Sequence, residues 1–185
     1  ELHLLDAATG NIVSRWNEAV YYVNPRFIDE GTIVVALRDG QARMSLHTMD
    51  LATGRRRELI PRYSNTMGMP YAKDHTIYFT RSFNGNDDVY AYRLKEKKLY
   101  QLTGGFTGNY FPAASAHSLV WSHLTTGGLE LRTEALQEHS WGAQSLMAGQ
   151  ERVRDVDEVG ELRELVAGDH QAKAHGRFRE VGRGQ

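Results

Sequence analysis

Cysteine is absent from the 185 residues. No disulfide framework, thiolate metal site or cysteine nucleophile can therefore exist, and the absence fits cytosol and periplasm alike. Long apolar runs are missing too. No stretch approaches the ~18 residues that a membrane-spanning helix needs, so no membrane insertion is expected. No secretory signal peptide is visible. Glu1 is not a natural first residue, so the original N-terminus is expected to have been removed. Charge of one sign is also lacking: 22 Lys and Arg face 23 Asp and Glu, for a net charge of −1. That balance gives no reason to expect a nucleic-acid or anionic-membrane partner. Neither Gly-x-Ser-x-Gly nor Gly-x-Gly-x-x-Gly occurs, so the chain carries no nucleophile elbow and no dinucleotide fingerprint.

A repeat is present instead. Leu2-His-Leu-Leu-Asp-Ala-Ala-Thr-Gly10 returns as Leu46-His-Thr-Met-Asp-Leu-Ala-Thr-Gly54, with Asp6 and Asp50 44 residues apart. A weaker copy, Val89-Tyr-Ala-Tyr-Arg-Leu-Lys-Glu-Lys97, follows 43 residues on, and a fainter one starts at Leu129. A period of about 40–45 residues is the length of one four-stranded propeller blade.

Each copy divides into four strand-sized pieces. Met67-Gly-Met-Pro-Tyr-Ala72 opens the clearest one and turns at Lys73-Asp74. His75-Thr-Ile-Tyr-Phe-Thr-Arg81 is rich in β-branched and aromatic residues and reads as a strand. Asn84-Gly-Asn-Asp87 reads as a hairpin turn, because Asn and Gly reach positive φ cheaply. Asp88 to Arg93 and Leu99 to Thr103 supply the third and fourth strands. Pro25, Pro70 and Pro112 open three copies, 45 and 42 residues apart. The runs Ile33-Val-Val-Ala-Leu37, Ile77-Tyr-Phe79 and Leu119-Val-Trp121 are nearly continuous in apolar residues. Strands covered on both faces read that way, and stacking blades around an axis covers them.

This grammar resembles the TolB-type β-propeller repeat. Gln101-Leu-Thr-Gly104 matches that family's closing motif, and the Asp-x-x-Thr-Gly turns at Asp6 and Asp50 match as well. Tyr71-Ala-Lys-Asp74 and Phe27-Ile-Asp-Glu-Gly31 stand where the family has Ser-Pro-Asp-Gly. The resemblance covers about residues 2–136. It implies an all-β fold, a partial propeller of four-stranded antiparallel blades, in about three and a half repeats. The expected division is a half blade at 1–19, blades at 20–62 and 63–105, and a degenerate blade at 106–149. Residues 150–185 are set apart as a helix plus a disordered tail: Val153, Val156, Val159, Leu162 and Val166 have helical spacing, and Gly168 is a stop signal. A closed ring needs about four to eight blades, so further blades from the same or another chain would complete it. The resemblance also implies a bacterial periplasmic or extracellular protein. Besides a metal-dependent sugar lyase, which would need His and acidic ligands converging on the axis, it leaves two roles open. One is a non-enzymatic scaffold that binds a protein or peptide. The other is the substrate gate of a larger prolyl-oligopeptidase-like or tricorn-like hydrolase, with its catalytic domain outside this chain.

Candidate chemistry is sparse. His3 and His47 are repeat-equivalent, as are His75 and His117, but none has zinc-ligand spacing. Asp169-His170 with His175 reads as part of a solvated tail. The oxygen-rich Asn84, Asn86, Asp87 and Asp88 are explained by a hairpin turn, without the acidic spacing of a calcium loop. Ser115 and His117 would share a face in an extended segment, but no orienting acid can be placed beside them. Arg55-Arg-Arg57 reads as a solvated turn. No metal, cofactor or catalytic residue is expected. Aromatic residues offer more. Tyr21, Tyr22, Tyr63, Tyr71, Tyr110 and Phe111 cluster at the openings of successive copies, where a propeller's first strands line the channel. The expected ligand-binding set is Tyr22, Arg26, Tyr63, Asn65, Tyr71, Asn109 and Tyr110, since Tyr offers a rigid apolar body with a polar tip. Packing between blades near the axis is the competing use of the same rings.

Overall fold

The computed structural model of the chain describes residues 1–83, 85–136 and 141–144. The helix and tail expected over 150–185, with His170 and His175, lie outside the described residues, as does Asn84. Among the described residues there are strands and no helix. β1 (Leu2–Leu5) and β2 (Ile12–Trp16) make a hairpin. β3 (Tyr21–Phe27), β4 (Thr32–Arg38), β5 (Met44–Asp50) and β6 (Arg56–Tyr63) form a four-stranded sheet in sequence order. β7 (Met67–Lys73), β8 (Thr76–Phe83), β9 (Asn86–Arg93) and β10 (Lys98–Gln101) repeat it, and β11 (Asn109–Ala114), β12 (Ser118–Thr125) and β13 (Gly128–Ala135) make a third meander. Every pairing is antiparallel.

Burial explains the continuous apolar runs. On β4, Val34 and Ala36 join Leu46, Ile60, Met67, Ile77, Phe79 and Tyr90 in one cluster. Ile33, Val35 and Leu37, on the opposite face, pack with Met49 and Leu51 against Leu2, Leu4 and Trp16 of the first hairpin. A third cluster joins Tyr78, Val89, Ala91 and Tyr100 to Ala114, Leu119 and Trp121. The two four-stranded sheets are thus each covered on both faces by their neighbours. Full burial of such a side chain contributes roughly 1.5–3 kcal/mol.

The repeated turns are chemically the same. Asp6 Oδ1 accepts from Thr9 N (2.7 Å) and Thr9 Oγ1 (2.8 Å), and Asp50 Oδ1 accepts from Thr53 N (2.8 Å) and Thr53 Oγ1 (2.6 Å). Gly10 and Gly54 follow at φ 72° and 71°. Gly54 is doubly required, because an added Cβ would stand 2.8 Å from Trp16 Nε1.

The prolines do more than open copies. Asn24, Met69 and Phe111 each precede one of them, at φ 48°, 53° and 53°. Each first strand shifts register there, between Val23 and Arg26, Gly68 and Tyr71, and Tyr110 and Ala113. The first strand of every meander therefore carries the same bulge, which bends a strand and re-aims its side chains.

β14 (Gly142–Gln144) comes from the stretch expected to finish the last blade. It pairs instead with β10, beyond the second sheet's outer strand. Trp141 explains the choice. Its ring lies 5.5 Å from that of Tyr100 and 6.4 Å from that of Tyr78, and Arg93 Cζ sits 4.7 Å from its centroid.

Candidate functional site

Register brings particular loops together. Tyr21 pairs with Arg38, Met67 with Arg81 and Asn109 with His123. Each first strand thus starts beside the end of its second strand. The crossovers between sheets and the hairpins joining second to third strands share this end, here the crossover end. Contacts between sheets run across it. Arg81 Cζ lies 5.1 Å from the Tyr63 ring centroid. Thr80 Oγ1 donates to Asn109 O at 3.4 Å, and Asn109 Nδ2 to Asp88 Oδ1 at 2.9 Å.

The expected contact set divides along this axis. Tyr63 is buried, and its hydroxyl oxygen accepts from Asn65 Nδ2 at 3.3 Å. Both belong to the crossover end, as do Asn109 and Tyr110 at the next junction and half-buried Tyr22 at the preceding one. Tyr22 donates to Glu18 Oε1 at 3.3 Å. Tyr110 folds over Gly108, whose position has no room for a Cβ: its hydroxyl would be 2.1 Å away. Burial, then the Asp87 carboxylate that its hydroxyl bonds, raises the Tyr110 pKa. The other two residues lie elsewhere. Tyr71 donates to Ala114 O at 3.2 Å, towards the opposite end of the strands. Arg26 is exposed, bonded to the carbonyl of Pro25, and lines a cleft against the first hairpin.

Asn109 is saturated. It is 2% exposed, and its Oδ1 accepts from Trp121 Nε1 at 2.8 Å and sits 2.9 Å from His123 Nδ1. Because Asn109 Nδ2 donates to Asp88, that oxygen is an acceptor, so His123 carries its proton on Nδ1. Asp88 Oδ1 also accepts from Thr103 Oγ1 at 3.0 Å, and its Oδ2 from Gln101 Nε2 at 3.2 Å. Burial raises the Asp88 pKa despite these three donors. The network knits β9, β10, β11 and β12, and a cleft of about 450 Å³ opens beside it, lined by Thr103, His123, Arg132 and Glu134 among others. Asp88, Trp121 and His123 were not in the expected set. Nothing local marks them, because their partners lie 12 to 21 residues away.

His3, His47 and Ser115 take structural positions. His3 Nε2 lies 2.9 Å from Glu1, and His47 Nε2 lies 2.9 Å from Ser45 Oγ. Ser115 Oγ accepts from the backbone of His117 (3.2 Å) and Ser118 (3.0 Å), which makes it a turn former. Among the described residues no three His, Cys, Asp or Glu converge to hold a metal ion.

No family model matches the chain, and no curated protein matches it in sequence. Among solved structures, a protein assigned as TolB from Agrobacterium tumefaciens is similar over 73% of this chain, with a TM-score of 0.52 and 16% identity. The fold is that of a TolB-type β-propeller. The chain spans about half of that structure, covering 51% of it. In the TolB-type fold the sheets are blades, and β3, β7 and β11 are their first strands. The crossover end is thus the end of the propeller where consecutive blades hand the chain on.

Proposed function

We propose that this TolB-type propeller segment is a non-enzymatic binding module that takes a protein or peptide partner at its crossover end. One observation carries the reading. Consecutive crossovers present Tyr63 with Asn65, and Tyr110 beside the Asn109 network, on one end of stacked sheets. Loops on a rigid scaffold are where binding residues concentrate. Tyr is a favoured anchor because it buries a large ring and still offers a hydrogen bond. Tyr22 belongs to the same surface, whereas Arg26 and Tyr71 contribute only if a partner extends beyond it. Further blades, from this or another chain, complete the ring, and an exported bacterial compartment is the setting we propose for it.

The test is selection of displayed random peptides on the wild-type chain, followed by titration against Tyr110→Ala and Asn65→Ala. Selected peptides are expected to bind both variants at least about tenfold more weakly, the loss of one good hydrogen bond or anchor. Their far-UV spectra should be unchanged. Peptides that bind the variants as tightly as wild type would remove the crossover end as the site. A Gly-x-Ser-x-Gly signature in the flanking coding sequence would instead recast the propeller as a hydrolase gate.

A further inference from the structure

Among the described residues, Arg81 is a charge without a counter-charge. It lies on β8 between Met67 of β7 and Asp88 of β9, and it is 3% exposed. A guanidinium does not give up its proton in proteins, so its charge persists even though burial lowers its pKa. A native fold rarely buries a charge without a partner. Two rings offset part of the cost. Cζ lies 5.1 Å from the Tyr63 centroid and 5.5 Å from the Phe83 centroid, within the range of cation–π attraction.

Among the described residues no acid completes the arrangement. Asp88 is the cross-strand neighbour, but its two oxygens accept from Asn109, Thr103 and Gln101, and no ion pair joins it to Arg81 among the described residues. Arg81 Nε is enclosed without a hydrogen-bond partner. Tyr90 is 1% exposed, close enough to interact electrostatically with Arg81, and its hydroxyl is also enclosed without a partner. Burial pushes the Tyr90 pKa up to about 12, so that hydroxyl keeps its proton to donate. Among the described residues an enclosed guanidinium N–H and an enclosed hydroxyl thus lack hydrogen-bond partners, with the positive charge against the Tyr63 ring.

We infer that Arg81 is an anion-recognition residue at the crossover end and that the group it takes is a carboxylate. The peptide reading of the crossover end favours carboxylate over phosphate, since a peptide carries carboxylates at its terminus and on Asp and Glu. The guanidinium is held near two aromatic rings, and its fork matches a planar, two-oxygen acceptor. The inference rests on the peptide-binding reading for the source of that group, either a chain terminus or an Asp or Glu side chain.

The test begins with acetate, titrated into the full chain at constant ionic strength set with chloride. The Nε–H resonance of Arg81 is expected to shift and saturate. The resonances of Arg43 and Arg93, which already pair with Asp39 and Glu96, should stay in place. Arg81→Met is expected to weaken the acetate-dependent rise in melting temperature by more than about tenfold in apparent affinity, with Arg81→Lys intermediate. Lack of saturation, or the same response in Arg81→Met, would overturn the site. So would preference for inorganic phosphate. If the methionine variant fails to fold, the wild-type titration still decides. Selected peptides carrying a free or amidated C-terminus, and Glu or Gln within, then identify the source: affinity should fall with whichever carboxylate is removed. Saturable acetate binding beside peptides indifferent to Arg81 would sink the peptide source and leave the carboxylate site. Peptide binding without any acetate response would do the reverse.

Discussion

Phe111 holds φ at 53° with its ring 56% exposed. The left-handed region costs an ordinary L residue roughly 1–2 kcal/mol, and the proline behind it already disfavours the right-handed α alternative. Asn tolerates positive φ better, and Asn24 stands at the equivalent bulge. Phe111→Asn is therefore expected to stabilise the fold by up to about 1 kcal/mol, and Phe111→Val to destabilise it, because a β-branched residue fits that region worst. Calorimetric melting temperatures moving in the same direction for both variants would contradict the strain argument. His47 gives a second prediction at this scale. Burial, then the charges of Arg56 and Arg62, lowers its pKa from 6.5 to about 4. The folded state thus binds fewer protons than the unfolded state between those values, so stability rises with pH across the window. The contribution is whole above about pH 6.5 and is lost as pH falls towards 4. Urea midpoints for His47→Gln should show a flatter slope there, and an unchanged slope would assign the dependence to other groups. Neither feature was legible in the sequence. The repeat marks Pro25, Pro70 and Pro112 but not the sign of φ before them, and the environment of His47 is made by β6.

β13 is exposed along its whole length, with Leu129 at 58% and Leu131 at 79%. Its inner edge pairs with β12, and no strand covers its outer edge among the described residues. An open edge carrying apolar side chains is a template for pairing with another chain. Leu131→Lys is expected to reduce concentration-dependent self-association, read by light scattering, while changing stability by no more than about 0.5 kcal/mol, as surface substitutions usually do. Unchanged scattering would show that this edge does not drive association. The strands themselves were largely readable, because turns such as Asp50-Leu-Ala-Thr-Gly54 and alternations such as Asp88-Val-Tyr-Ala-Tyr92 are local signals. The pairing of β14 with β10 was not. It skips an entire meander and depends on where Trp141 finds Tyr100, Tyr78 and Arg93.

At the scale of the whole molecule, the repeat revealed the architecture but could not reveal the crossover end. The period fixes how many residues build a sheet, whereas Arg81 beneath Tyr63 and Asn109 against Asp88 arise from how sheets stack. That stacking makes the molecule cooperative in a way that can be tested. Phe79, 0% exposed, sits in the cluster that holds Val34 and Ala36 of β4, Leu46 of β5 and Tyr90 of β9. Amide protons of β4, β8 and β9, buried between neighbouring sheets, are expected to exchange most slowly, near the global unfolding free energy. Those of β1, β2 and β13 should exchange much faster, since the strands are largely exposed. Removing the Phe79 ring takes contacts from two sheets at once. Phe79→Ala is expected to destabilise the chain by about 3–5 kcal/mol and to lower protection in β4 and β8 by the same amount. If β8 loses protection while β4 keeps it, the sheets unfold independently and the shared cluster does not bind them into one unit. If both fall together, the stacked face is what positions Tyr63 over Arg81, and packing changes deep in the core would then alter the crossover end without touching a residue of it.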